Sequence, residues 1–274
     1  MGALFGTLSA LGVGLGDLYG RRVALKSSYI TVAASLQFVA IFSSLAAVVF
    51  VSSQFTLRDI ALGGLSGFGM GAGLVTYFVG LGRAGAAVVG PTVAALMSVI
   101  PFVYAASTGA TVTSGAAIGA VVALIGLLMV TGGRAKADAV RAGAIWAVAA
   151  GCSYGFALTV MITVDSDAGA WPGVSQRIVA FALMVPIAMR ANVPLTAPSG
   201  LRTKAVLAGI FGGLSTIFYL VGLGFDTTST VVTAAMFPAV TVVVGRMAFG
   251  DAVRPIQILG LGAVLVGVIA VVVA

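Results

Sequence analysis

Apolar runs of about twenty residues, separated by short polar or Gly/Pro breaks, fill nearly the whole chain. Ten runs can be read: 2–20, 29–51, 59–81, 86–107, 113–131, 141–163, 173–190, 204–225, 228–249 and 254–273. Each approaches the roughly 20 residues that a helix needs to cross about 30 Å of hydrocarbon. The breaks between them are too short to hold a soluble domain. The pattern predicts an all-α polytopic membrane protein with ten transmembrane helices. No cleavable signal peptide is expected, because the first run leads into further spans.

The runs fall into two related sets of five. Val79-Gly80-Leu81-Gly82 returns as Val221-Gly222-Leu223-Gly224, and Gly119 and Gly126 return as Gly260 and Gly267. Gly14 lines up with Gly155, and Ser35, Val39 and Ala40 with Ser175, Val179 and Ala180. An offset that stays between 140 and 142 along the chain marks a duplication. It divides the chain into a first five-helix repeat (1–133), a linker (134–141) and a second repeat (142–274), all within one membrane domain. Five spans is an odd number, so the second repeat should run inverted. In a chain this apolar, an inverted repeat points to a transporter whose halves rock about a site between them.

Composition fixes the solvent and removes several classes of chemistry. Sixty per cent of the 274 residues are hydrophobic and 8% are charged, with a mean hydropathy of +1.19, so no water-facing shell can be assembled. Cys152 is the single cysteine and histidine is absent, which removes internal disulfides and the usual transition-metal sites. No cofactor or metal is expected. A membrane enzyme is disfavoured because histidine and glutamate are both missing, and a channel because neither a repeated filter sequence nor rings of charge are seen.

The net charge of +7 would invite nucleic acid in a soluble protein, but here the bases sit at span ends, so no nucleic-acid partner is expected. In the first half Arg21, Arg22, Lys26 and Arg83 follow spans 1 and 3. The matching breaks of the second half carry Asp165, Asp167 and Asp226 and no base. Its bases, Arg190, Arg202, Lys204, Arg246 and Arg254, lie in the other breaks, and the linker adds Arg134, Lys136 and Arg141. Only Arg58 departs from the swap, and Asp59 follows it. Inversion combined with the positive-inside rule predicts this exchange and puts both termini outside.

The residues Ala234-Ala235-Met236-Phe237-Pro238, then Phe249-Gly250-Asp251, then Gly260 and Gly267 resemble the drug/metabolite transporter superfamily, in its EamA-like ten-span group. Gly16-Asp17-Leu18-Tyr19-Gly20-Arg21-Arg22 followed by Gln37 is similar to the end of span 1 in one subset. The resemblance covers essentially the full length. Asp251 stands where the group has glutamate, and the first half has Met97 and Ala110 at the positions of the proline and the acid. The resemblance implies a bacterial inner-membrane exporter of a small metabolite or drug-like solute.

Candidate site residues are the polar and aromatic groups inside spans. Asp17 is the foremost coupling candidate: it could exchange a proton against substrate, or pair with Arg21 at i,i+4. Arg177 could hold an anionic substrate group or snorkel to the interface beside Trp171. Gln37, its repeat equivalent, needs polar partners in mid-membrane and faces protein or a cavity. Tyr77 and Tyr219 are repeat equivalents, and Trp146, Tyr154, Thr233 and Met236 complete the expected substrate cavity, with Ser98, Thr92, Ser153 and Thr216 at similar depth. Pro91, Pro101 and Pro238 are expected to kink spans 4 and 9. Gly12, Gly16 and Gly20, and Gly63, Gly67 and Gly71, form small-residue faces for close helix packing, which could also slide.

These expectations amount to a secondary transporter working by alternating access, with a solute, the bilayer and protons as partners. A multidrug or cation antiporter and a non-transporting scaffold or accessory subunit stay open as alternatives, as does a homodimer.

Overall fold

The computed structural model describes residues 1–84, 86–109, 112–131, 137–249 and 253–273. Ala110, Asp251 and linker residues 134–136 lie outside the described residues, as do the side chains of Pro91 and Pro238. The described chain is all-helical. Its helices are α1 (Gly2–Ala24), α2 (Tyr29–Phe50), α3 (Leu57–Ala84), α4 (Ala86–Ser107), α5 (Ser114–Thr131), α6 (Ala137–Ile162), α7 (Trp171–Ala191), α8 (Arg202–Leu223), α9 (Thr227–Ala234), α10 (Phe237–Phe249) and α11 (Pro255–Val273). Two short 3₁₀ turns, Ser166–Ala168 and Ser199–Leu201, precede α7 and α8. Among the described residues, six stretches are long and apolar enough to cross a membrane, lying in α2, α3, α6, α7, α8 with its preceding turn, and α9–α10.

Polarity is inside-out, and the protein is membrane-embedded. Phe42, Phe50, Phe68, Ile118, Ile145 and Leu259 are exposed, while Gln37, Ser66, Gln176, Arg177 and Thr216 are buried. Such an exterior would be insoluble in water and is at home against lipid chains.

Local sequence explains several helix ends. Ser28 caps α2 by accepting from the Thr31 N–H, and Asp226 caps α9 by accepting from the Ser229 N–H. Asn192 ends α7 in the left-handed region at φ 51°, which asparagine tolerates. At the start of α3, Asp59 binds Thr56, Arg58 and the backbone N–H of Asp165. The one base that departs from the charge swap is thus neutralised by its neighbour, and that neighbour ties α3 to the α6–α7 connection.

The proline expectations divide. Span 9 is broken: α9 ends at Ala234, and Met236 bonds back to Thr233 in a tight turn before α10 begins. Pro238 has no N–H to offer the Ala234 carbonyl, so the helical ladder cannot continue there. By contrast, α4 continues as one helix through Pro91 and Pro101. Helix α6 starts at Ala137, within the stretch expected to link the two repeats.

Helix packing is matched between the halves. The extensive pairs are α1 with α8, α3 with α6, α2 with α8, α3 with α7, α4 with α6 and α1 with α9 and α10. Exchanging α1 to α5 for α6, α7, α8, α9–α10 and α11 returns the same set. The remaining large contacts, α2 with α7 and α5 with α11, map onto themselves.

Glycines make these contacts. A Cβ at Gly67 would lie 2.4 Å from the Gln176 carbonyl oxygen, and one at its equivalent Gly209 would lie 2.8 Å from that of Leu36. Gly119 and Gly267 abut each other's carbonyls, with Cβ positions 2.6 and 2.5 Å from them, as do Gly126 and Gly260 at 2.7 Å. Gly63 and Gly71 extend the α7 contact, and Gly12 and Gly16 face α8. Gly20 stands apart, in ordinary contact with Leu36 and Val32 of α2. Helices gain little from hydrophobic association inside lipid, so this close backbone approach supplies the packing.

Gly67→Ala is therefore expected to destabilise the purified protein by about 1–3 kcal/mol, read as earlier unfolding in detergent. Gly262→Ala, where a Cβ meets nothing within 4 Å, is expected to leave stability unchanged or slightly raised.

Candidate functional site

Polar groups buried in the centre of the bundle form one continuous network. It starts on α2 and α7 with the repeat equivalents Gln37 and Arg177, which meet directly: Arg177 Nη1 donates to Gln37 Oε1 at 2.9 Å. Arg177 Nη2 donates to the Gly212 carbonyl of α8 at 2.7 Å and to the Thr216 hydroxyl. Thr216 passes the chain on to Gln176 Oε1 at 3.2 Å, and Gln176 Nε2 donates to Ser66 Oγ of α3 at 2.8 Å. Ser66 ends the chain on the Ala157 carbonyl of α6 at 2.7 Å. The network joins α2, α3, α6, α7 and α8, and each side chain in it is at least nine-tenths buried.

Arg177 thus points inward. It starts about 9 Å from the head of α7, six residues at 1.5 Å each, and reaches to the middle of α8 rather than back to Trp171. The snorkelling alternative is overturned. What holds the side chain inward is a set of three polar partners on neighbouring helices, Gln37, Gly212 and Thr216.

A second group of polar residues lies beside this network. Asp17 of α1 is exposed. Its Oδ2 accepts from the Thr241 hydroxyl of α10 at 3.1 Å. Tyr77 lies within electrostatic reach of Asp17, and Tyr154 within reach of Tyr77, Asp17 and Arg177. Both tyrosines are half-buried and pack on Val89, Val93, Ala147 and Ala150. Asp17, Tyr77, Tyr154, Arg177 and Gln37, all expected site residues, are therefore brought together.

The other candidates separate from this cluster. Tyr219 is buried with its hydroxyl unpartnered, packed with Met161, Leu220 and Val231. It belongs to an apolar plug, whereas its repeat equivalent Tyr77 is half-buried. Thr233 is fully buried and bonds back to the Ser229 carbonyl at 2.7 Å, facing Gly6 of α1. It packs α1 against α9 and does not line a cavity. Trp146 is half-buried near the α3–α6 end, with the Arg83 guanidinium 4.8 Å above its ring. Met236 does line a cavity, an apolar one of about 240 Å³ shared with Ser98, Phe102, Leu124, Leu127 and Val264. A second cavity of about 250 Å³ lies at the opposite end from Asp17, walled by Met161, Leu220, Leu223, Asp165 and Ser166. The Tyr219 plug forms its floor.

Three functional neighbours were missed from sequence: Ser66, Gln176 and Thr241. Gln176 carried a usable signal, an amide in an apolar span next to Arg177. Ser66 and Thr241 carried none, since isolated hydroxyls in helices usually bond to their own backbone.

Comparisons with known proteins show the fold alone. No family model and no curated protein matches the chain. Its structure is similar to a crystal structure described only as that of a protein, with a TM-score of 0.75 and 17% identity over 99% of this chain and 96% of the other.

Two substitutions test the assignment of these environments. Tyr219→Phe removes a buried hydroxyl that has no partner, so thermal unfolding is expected to be unchanged or to rise by up to about 2 kcal/mol in stability. Gln37→Leu removes an acceptor from a buried charged donor and is expected to cost about 1–3 kcal/mol in the same measurement.

Proposed function

We propose that the protein is a secondary transporter of ten spans in two inverted five-helix repeats, a member of the drug/metabolite transporter superfamily in its EamA-like group. In this reading α1 to α5 form one repeat, and α6, α7, α8, the broken pair α9–α10, and α11 form the other. Both termini face outward, and the protein exports a small metabolite or drug-like solute across a bacterial inner membrane. It works by alternating access and performs no enzymatic chemistry.

The observation that carries the reading is the contact of Gln37 with Arg177. Equivalent positions of a duplicated unit meet in the buried centre, where an axis relating the halves would pass. Polar groups at such depth are costly and stand where a solute path needs them. The matched helix pairs and the reciprocal glycine contacts support the same division. The state described here is then closed at the outer end by the Tyr219 plug and open on the inner side at Asp17.

A multidrug antiporter for cations draws on Asp17 and on the apolar cavity beside Met236. The buried positive charge of Arg177 weighs against that alternative. In the transporter reading Asp17 is the coupling group, because it is the acid on the open side of the central cluster.

Purified protein in liposomes, screened for solutes whose movement is driven by a pH gradient, tests the proposal. Wild-type protein is expected to move at least one solute, and Asp17→Asn is expected to abolish the pH-driven flux. Unaltered flux in that variant removes the coupling role, and the absence of any flux across the library favours a scaffold.

A further inference from the structure

We propose that Arg177 is the anion-binding group of this site and that the solute it takes is a monovalent carboxylate. This deepens the transporter reading and rests on it for the link between binding and movement.

The side chain is 7% exposed and sits in the middle of a membrane bundle. Its partners are an amide oxygen, a backbone carbonyl and a hydroxyl, all neutral. Among the described side chains the acids are engaged or placed elsewhere. Asp17 accepts from Thr241, Asp59 forms the ion pair with Arg58, Asp165 and Asp226 cap helices, and Asp167 is exposed. A buried cation held only by neutral dipoles keeps its full charge uncompensated, an expensive arrangement that a structural arginine avoids by pairing with a carboxylate.

The donors point the same way. A guanidinium carries five N–H groups, and the three recorded bonds leave two of them over. One is Nε, which is buried without a partner. The network holds the guanidinium rigidly while leaving charge and donors unspent, as expected of a preorganised receptor for an oxyanion. The valence follows from the surroundings. Tyr154 lies within electrostatic reach of both Arg177 and Asp17, and none of the recorded partners of Arg177 is a second cation. A dianion would bring two negative charges to a single guanidinium, with Asp17 repelling both, whereas a monoanion brings only one. The two tyrosines offer a flat, partly apolar surface for the rest of the solute.

Benzoate and its neutral isostere benzamide are suitable probes for thermal unfolding of the purified full-length protein. A ligand that binds the folded state raises its stability by mass action. Benzoate is expected to raise the unfolding temperature saturably and benzamide to leave it unmoved. Arg177→Gln is expected to weaken the benzoate effect at least tenfold, and Arg177→Lys, which keeps the charge, to retain most of it. Should Arg177→Gln fail to fold, the benzoate–benzamide comparison on wild type and Arg177→Lys decides. Equal shifts from the two probes, no shift from either, or an undiminished benzoate shift in a folded Arg177→Gln overturns the proposal. Liposome flux separates this from the transport reading. Benzoate binding without any flux leaves the anion site standing and removes the transporter. Flux of neutral solutes with no anion binding does the reverse.

Discussion

Lipid gives apolar helices little reason to associate, so this bundle depends on how closely its backbones can approach. Glycine makes that approach where the halves touch. At Gly67, Gly209, Gly119, Gly126, Gly260 and Gly267, a single added carbon would fall within 2.8 Å of another helix's backbone carbonyl. The contacts fall on α3 with α7, α8 with α2, and α5 with α11, the pairs that knit one half to the other. Everything polar in the centre inherits its position from them. Gln176 and Ser66 can bond only because Gly63 and Gly67 let α7 settle against α3.

The frame then admits a group that lipid would otherwise exclude. Arg177 is supported from α2 by Gln37 and from α8 by Gly212 and Thr216, two helices that Gly209 brings into close contact. Moving either helix strips a partner from a buried charge. The polar centre is therefore sensitive to relative motion of the helices around it. The asymmetry between the copies makes the pair possible. Two arginines at these equivalent positions would repel and two glutamines would leave no charge, while one of each gives a bonded pair with net charge.

The repeat, the close-packed glycines and the break at Pro238 could be read from residue order, because each follows from a local steric rule. The fate of individual polar residues could not. Tyr77 and Tyr219 are equivalent in sequence, yet one is half-buried beside Val89, Val93, Ala147 and Ala150 and the other is sealed among Met161, Leu220 and Val231. Repeat equivalence fixes topology and leaves local conformation free. Arg177 lies within reach of both the interface and the centre, so only the position of Gln37, Gly212 and Thr216 decides its direction. Thr233 looked like a cavity hydroxyl and satisfies its own helix instead. Pro91 and Pro101 looked like Pro238, but α4 continues through both.

The central claim is that the two halves alternate around the Gln37–Arg177 centre. It is tested most directly by reciprocal accessibility in reconstituted protein. With the single native cysteine Cys152 replaced by serine, Tyr219→Cys probes the sealed end and Thr241→Cys the open end, each against a membrane-impermeant thiol reagent. The account predicts that a transported solute raises reactivity at position 219 while lowering it at position 241. Reactivities that stay fixed, or that change in the same direction at both ends, would contradict it.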